Sequence, residues 1–278
     1  MAGMKPYFRT DLGELYCGDA WQLLRELPGR SVDLIIADPP YVEYRDTRTQ
    51  SDEWSLKRNW RVLFRLLADA LKDSGCLFLF GVPSYYLRVA DAILRYFRVY
   101  FDMIWVKPVP IAFLTAKQKP LNRHEQILCL VKKGAKVSEI TYNYREIGSK
   151  GEPYVNIRRG YDKYTGVVHT PTFNKDGFRY PTTILEFPNK PAMSKDERTP
   201  HPTQKPAALI EYLVKGWSNE GDLVLDPFLG SGTTAVVCER LNRRWVGIEI
   251  NPEYCELAKN RVLAVLREKR NSLERWLK

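Results

Sequence analysis

At 278 residues the chain suits one large domain or one domain carrying an insert, and an apolar share of 44% provides for a sizeable core. A net charge of +10 and a pI near 9.3 favour an anionic partner. The five cysteines show no close pairs and the three histidines are scattered, which argues against a disulfide framework or a metal site; no run is apolar enough for a leader or a membrane span, so a cytoplasmic protein with no membrane partner is expected.

Residues 14–17 read as a short strand ending at Gly18-Asp19. Residues 21–27 have helical spacing (Trp21, Leu24, Leu27), with Asp19 placed to cap them. Next, residues 32–37 form a β-branched apolar run, the signature of a strand buried on both faces. It stops at Asp38-Pro39-Pro40-Tyr41. The two prolines stiffen the backbone, so a carboxylate, the Pro39 carbonyl and an aromatic ring sit on a rigid tether. In open α/β sheets this strand edge is where ligands bind.

Residues 42–58 are polar and lack a hydrophobic period, which predicts a loop carrying Arg45, Arg48, Lys57 and Arg58. An amphipathic helix over 60–71, ended by Gly75, precedes a buried strand over 76–80 and a helix over 86–97. Strands over 101–106 and 125–131 lack a long helix between them, which suggests an antiparallel pair at a sheet edge.

From 134 to 198 the texture changes. Tyrosines and phenylalanines alternate with Arg158, Arg159, Lys163, Arg179 and other cations. Rings for bases and cations for phosphates are the two contacts that nucleic acid offers. A small β-rich insert whose tyrosines form its own core reads the same way. The predicted organisation is a first half over 1–133, an insert over 134–198 and a second half over 199–278.

Regular structure resumes at His201-Pro-Thr-Gln-Lys-Pro206, followed by a helix over 207–217. A short strand over 223–225 leads into Asp226-Pro-Phe-Leu-Gly-Ser-Gly-Thr-Thr234, then a helix, a strand over 244–250 that carries Glu249, and a terminal helix from Pro252. The charges on that last helix read as a solvated face. Strand, acidic residue, glycine turn and helix describe a nucleotide-type site. Glu249, near the end of the next strand, is placed to take two ribose hydroxyls. The three-glycine dinucleotide fingerprint and the Gly-Lys-Ser/Thr phosphate loop are both absent. A zwitterionic tail fits better, with Asp226 facing an ammonium and the region 231–234 a carboxylate. That points to S-adenosylmethionine.

With these motifs in this order, the chain resembles the β-class amino-methyltransferases of DNA. The tetrapeptide at 38–41 matches their catalytic motif, 226–234 their cofactor loop, 201–206 the element before it, and Gly18-Asp19 and Gly247-Ile248-Glu249 the adenine and ribose contacts. The resemblance implies an α/β fold: a circularly permuted methyltransferase domain with a mostly parallel seven-stranded sheet, one antiparallel edge strand and a target-recognition insert. The first strand would lie beside the last. Catalytic residues would be Asp38, Pro39, Pro40 and Tyr41. Cofactor contacts would come from Asp19, Ala20, Asp38, His201, Thr203, Lys205, Asp226, Phe228, Gly230, Ser231, Gly232, Thr233, Thr234, Glu249, Ile250 and Asn251.

The implied reaction moves a methyl group to an exocyclic amine of a base flipped out of duplex DNA and stacked on Tyr41. Asp at the first position of the tetrapeptide resembles N6-adenine enzymes more than N4-cytosine ones, where Ser is common. Methylation of cytosine N4, methylation of RNA or another amine, and a non-catalytic DNA-binding module are the alternatives. The family also allows a homodimer and a separate restriction endonuclease as partners.

Overall fold

In the computed structural model, residues 4–40, 58–156, 160–161, 168–169 and 172–276 are described. Tyr41, Arg45, Arg48, Lys57, Arg158, Arg159 and Lys163 lie outside them. The chain divides into two units, Met1–Tyr142 with Thr183–Lys278, and Asn143–Thr182.

The strand that carries Asp38 lies at the middle of the sheet. In β3 (Val32–Ala37), Val32, Leu34 and Ile35 have no exposed surface, as expected for a strand covered on both faces. Around it run β1 (Phe8–Arg9), β2 (Gly13–Cys17), β4 (Leu71–Gly81), β5 (Phe97–Ile111), β6 (Asn122–Lys132), β7 (Ile184–Glu186), β8 (Leu223–Asp226) and β9 (Arg244–Glu249). Their order is β1-β2-β9-β8-β3-β4-β6-β5-β7. The first strand read from the sequence, here β2, does lie beside the last one: Cys17 of β2 is level with Glu249 of β9.

The sheet differs from the expected one in two details. It has nine strands rather than seven, because short pieces at each end, β1 and β7, extend it. The antiparallel β6 is not at the edge but between β4 and β5, and β7 adds beyond β5 in parallel. The hairpin-like link from β5 lets β6 fold back into the gap beside β4, and its wholly buried Ile127, Cys129, Leu130 and Val131 suit that interior place.

Helices α1 (Ala20–Leu23), α2 (Trp60–Ala70), α3 (Pro83–Tyr96), α4 (Ala207–Trp217), α5 (Thr233–Arg240) and α6 (Pro252–Trp276) complete this unit. In α2 the spacing places Leu63, Phe64 and Leu67 in the core. Each such burial stabilises by about 1.5–3 kcal/mol. Asn59 caps this helix through the Val62 amide at 3.2 Å. The helix stops before Gly75 because Leu71 already pairs with Val32 of β3, so Gly75 falls inside β4. The region expected as a helix over 21–27 is one α-turn continued by a 3-10 turn, Leu24–Glu26.

Within the smaller unit, three short antiparallel pairs join Ser149–Lys150 to Phe178–Arg179, Tyr154–Asn156 to Thr172–Asn174, and Gly160–Tyr161 to Val168–His169. Tyr144, Phe178 and Tyr180 pack ring to ring as a partly exposed aromatic cluster, with Tyr180 itself exposed. Tyr154 and Phe173 are exposed. Arg179 lies over the Tyr154 ring at 4.6 Å and donates to the carbonyls of Gly177 and Glu152, so it braces this hairpin from within.

Among the described residues, no helix is long and apolar enough to cross a membrane.

Candidate active site

Parallel pairing brings the carboxyl ends of β2, β9, β8 and β3 to one edge, and each delivers an acid there: Asp19, Glu249, Asp226 and Asp38. Residues far apart in sequence thereby converge. A cleft on this edge is lined by Asp38, Phe80, His201, Lys205, Asp226, Phe228, Gly230, Ser231, Thr233 and Thr234.

At Asp38, Lys205 Nζ donates to Oδ2 at 2.6 Å. Among the described residues, Oδ1 has no hydrogen-bond partner. The same ammonium lies 3.2 Å from Glu125 Oε1, and Lys107 Nζ is 2.8 Å from Glu125 Oε2. Glu125 and Lys107 are buried. The result is a row of alternating charge: Asp38, Lys205, Glu125, Lys107. Burial raises the Asp38 pKa; Lys205 opposes the rise and Glu125 adds to it. For Lys205, burial works against the ammonium, but Asp38 and Glu125 outweigh it and its pKa is raised. Lys205 therefore stays charged, next to the acid, at a site the sequence suggested only for cofactor contact.

The turn after β8 has a different character. Gly230 and Gly232 both take positive φ, 54° and 81°. A Cβ on Gly230 would come within 2.9 Å of His201 Nε2, and one on Gly232 within 2.7 Å of the Ala258 side chain. These positions need glycine twice over, for conformation and for space. Asp226 accepts from the Phe228 amide at 3.0 Å and the Thr234 hydroxyl at 2.6 Å. Burial pushes its pKa up to about 7, the two hydrogen bonds opposing and the charge of Asp38 adding. Glu249 accepts from the amides of Gly230 and Asn251, both at 2.8 Å, and burial raises its pKa as well.

Asp19 is the N-cap that its position suggested: its Oδ1 accepts from the Trp21 amide at 2.9 Å. Its Oδ2 is 2.6 Å from Arg58, whose guanidinium lies over the Trp21 ring. Ala20 is buried behind it, while Ile250 is exposed just past Glu249. His201 is held neutral, its pKa lowered to about 4 by burial and by the nearby cations Lys205, Lys190 and Arg261. Its Nδ1 is buried without a hydrogen-bond partner among the described residues.

The arrangement fits a nucleoside bearing an amino-acid tail. Among the described residues no cation pairs with the buried Asp226, and such an acid suits an incoming ammonium. Cβ-free backbone at Gly230 and Gly232 leaves room for close approach, and His201 offers an unused nitrogen. Thr203, Ser231, Thr233 and Phe228 line the same cleft.

Four contributors were not singled out from sequence. Arg261 of α6 reaches the glycine turn, donating to the Ser231 carbonyl at 2.7 Å and to the Thr233 hydroxyl at 3.1 Å. Nothing in an amphipathic pattern separates this arginine from its solvated neighbours. Glu197 caps α4 from a distance, accepting from the Ala207 amide at 2.7 Å where Pro206 has no side-chain donor or acceptor to offer. Lys107 and Glu125 did leave a signal: opposite charges at the ends of neighbouring apolar runs.

The model of the DNA methylase family matches residues 32–260 of this chain. The Type II methyltransferase M.HpaI of Haemophilus parainfluenzae is 33% identical over 253 residues, covering 89% of this chain and 73% of that protein. The DNA adenine methyltransferase YhdJ of Escherichia coli (strain K12) is 30% identical over 260 residues, covering 92% and 84% respectively. Among solved structures, the M1.HpyAVI–SAM complex superposes with a TM-score of 0.62 at 27% identity, covering 90% of this chain and 99% of that one.

Proposed function

The chain belongs to the DNA methylase family and is a DNA methyltransferase, and from that premise we propose that it carries a methyl group from S-adenosylmethionine to the exocyclic N6 amine of adenine in duplex DNA. The observation that carries this reading is the shared cleft: Asp38, whose Oδ1 has no hydrogen-bond partner among the described residues, lies in the same cleft as the Asp226–Thr234 turn. The bound ligand in the M1.HpyAVI–SAM complex supports the choice of cofactor. The aspartate at position 38 and the name of the YhdJ relative support adenine.

When bound, S-adenosylmethionine supplies an electrophilic methyl group on a sulfonium centre. Asp226 would receive its ammonium, the Ser231–Thr234 region its carboxylate, and Glu249 and Asp19 its nucleoside. The protein's part in the chemistry is positioning and electrostatics. An exocyclic amine is a poor nucleophile because its lone pair is delocalised into the ring. Hydrogen bonds from that amine to Asp38 Oδ1 and to the Pro39 carbonyl draw the nitrogen towards a tetrahedral geometry and free the lone pair. Asp38 need not take a proton first, since the methylated ammonium is acidic enough to lose one afterwards. Pro40 keeps the tether stiff, and Tyr41 is the ring on which a flipped base would stack. The smaller unit, Asn143–Thr182, is our candidate for target recognition, with Arg179 among its cations.

Digesting DNA methylated by the protein to nucleosides tests the choice of amine. N6-methyladenine is the expected product. N4-methylcytosine would move the reading to the other base.

A further inference from the structure

Two of the four charges in the row that Asp38 heads do not line the cleft. Lys107 and Glu125 are buried, lie on β5 and β6, and touch Asp38 only through Lys205. Burying ion pairs is costly and is a poor way to gain stability. Their arrangement is also specific. Glu125 divides its two oxygens between two ammonium groups, and each ammonium lies near an aromatic ring, Lys205 at 5.1 Å from the centre of Phe80 and Lys107 at 4.9 Å from that of Trp105.

We infer that Glu125 and Lys107 are positioning residues for the methyl transfer: by holding the Lys205 ammonium in place, they keep the Asp38 carboxylate aimed at the incoming amine. The inference rests on the methyltransferase reading above and assigns a role to two residues outside its motifs. Lys205 anchors Oδ2, which fixes the rotation of the carboxylate. Glu125 anchors Lys205 from the other side, so that the ammonium does not swing into the cleft. Lys107 balances Glu125, which would otherwise compete with Asp38 for the charge of Lys205.

An alternating row makes a signed prediction. Removing Lys205 takes away the cation nearest to Asp38, so the Asp38 pKa rises. Removing the charge of Glu125 leaves Lys205 wholly to Asp38, so it falls. Removing Lys107 lets Glu125 draw on Lys205, so it rises again. The other groups facing Asp38 are Asp226, whose charge also disfavours ionisation of Asp38, and Tyr85 and Tyr86, which burial keeps neutral.

The test uses the full chain and the variants Lys205→Gln, Glu125→Gln and Lys107→Gln, each checked for folding by circular dichroism. Titration of the Asp38 carboxyl is followed by carbon-13 NMR on aspartate-labelled protein, assigned with Asp38→Ala. The acid limb of kcat is measured at saturating S-adenosylmethionine, so that Asp226 stays ionised. The expected shifts are up by about one pH unit for Lys205→Gln, down by roughly half a unit for Glu125→Gln and up by roughly half a unit for Lys107→Gln. The KM for DNA should stay within about twofold in the last two while kcat falls roughly tenfold. If a single substitution fails to fold, the double variant Glu125→Gln/Lys107→Gln, which removes a neutral pair, should fold and titrate near the wild-type value while kcat falls. Shifts of one sign in all variants, no shift, or unchanged kcat in both Glu125→Gln and the double variant would overturn the inference. The NMR titration reads the row even without turnover, so absence of methyl transfer by the wild-type protein would count against the functional reading alone.

Discussion

Asp38→Ala is expected to lower methyl transfer to DNA by roughly a thousandfold, or about 4 kcal/mol of transition-state stabilisation, and to change the affinity for S-adenosylmethionine by less than about threefold. The split follows from the geometry. Asp38 directly follows β3 and lines the cleft, while the groups suited to the cofactor's tail, Asp226 and the turn to Thr234, hang from β8 and α5. Deleting the acid removes the acceptor that an amine needs in the transition state and leaves the turn intact. The Lys205 ammonium keeps Glu125 as a partner, 3.2 Å away, so the variant does not strand a buried cation. Single-turnover transfer and calorimetric cofactor binding on the same preparation check both halves. Retained turnover would remove Asp38 from its role.

Asp226→Ala should act on the other half of the reaction and weaken S-adenosylmethionine binding by about a hundredfold, the loss of a charge-assisted contact of roughly 2–3 kcal/mol. The wild-type protein should carry a pH signature of the same residue. With a pKa of about 7, Asp226 is largely protonated below neutrality in the free protein. Only its ionised form can receive an ammonium. Binding must therefore release a proton, and affinity must rise with pH until the group is fully ionised. At pH 6 the apparent Kd should be about tenfold weaker than at pH 8, with the curve flattening above about pH 7.5. Titration calorimetry in buffers of different ionisation enthalpy reads the released proton directly. In Asp226→Asn the pH dependence should vanish. An affinity independent of pH in the wild-type protein would place the ammonium elsewhere.

What could be read from the sequence divides along physical lines. β3 and Asp38 were legible because a strand covered on both faces must be continuously apolar, and a carboxylate followed by two prolines has few other uses at its end. The Asp226–Thr234 turn was legible because positive φ and close backbone approach both require glycine, at 230 and 232. The placement of β6 was not, since which strand fills a gap depends on long-range pairing that local pattern does not encode. Asp19 looked ambiguous between cap and ligand. Its two oxygens have separate partners, the Trp21 amide and Arg58, so the helix cap uses only one of them. Lys107 and Glu125 were passed over because charges at the ends of apolar runs read as strand boundaries. Their pairing becomes visible only when β5 and β6 lie side by side. Arg261 was passed over because the pattern of α6 marks its apolar stripe and says nothing of which flanking arginine turns inwards.

On the proposed reading, the cleft joining Asp38 to the glycine turn moves a methyl group onto a DNA base. Incubating the protein with S-adenosylmethionine labelled in its methyl group and with duplex DNA, then counting label in the washed DNA, tests it most directly. Label should appear in the DNA with the wild-type protein and be essentially absent with Asp38→Ala at matched cofactor occupancy. Absence of label with the wild-type protein across varied duplex sequences, despite measured cofactor binding, would contradict it.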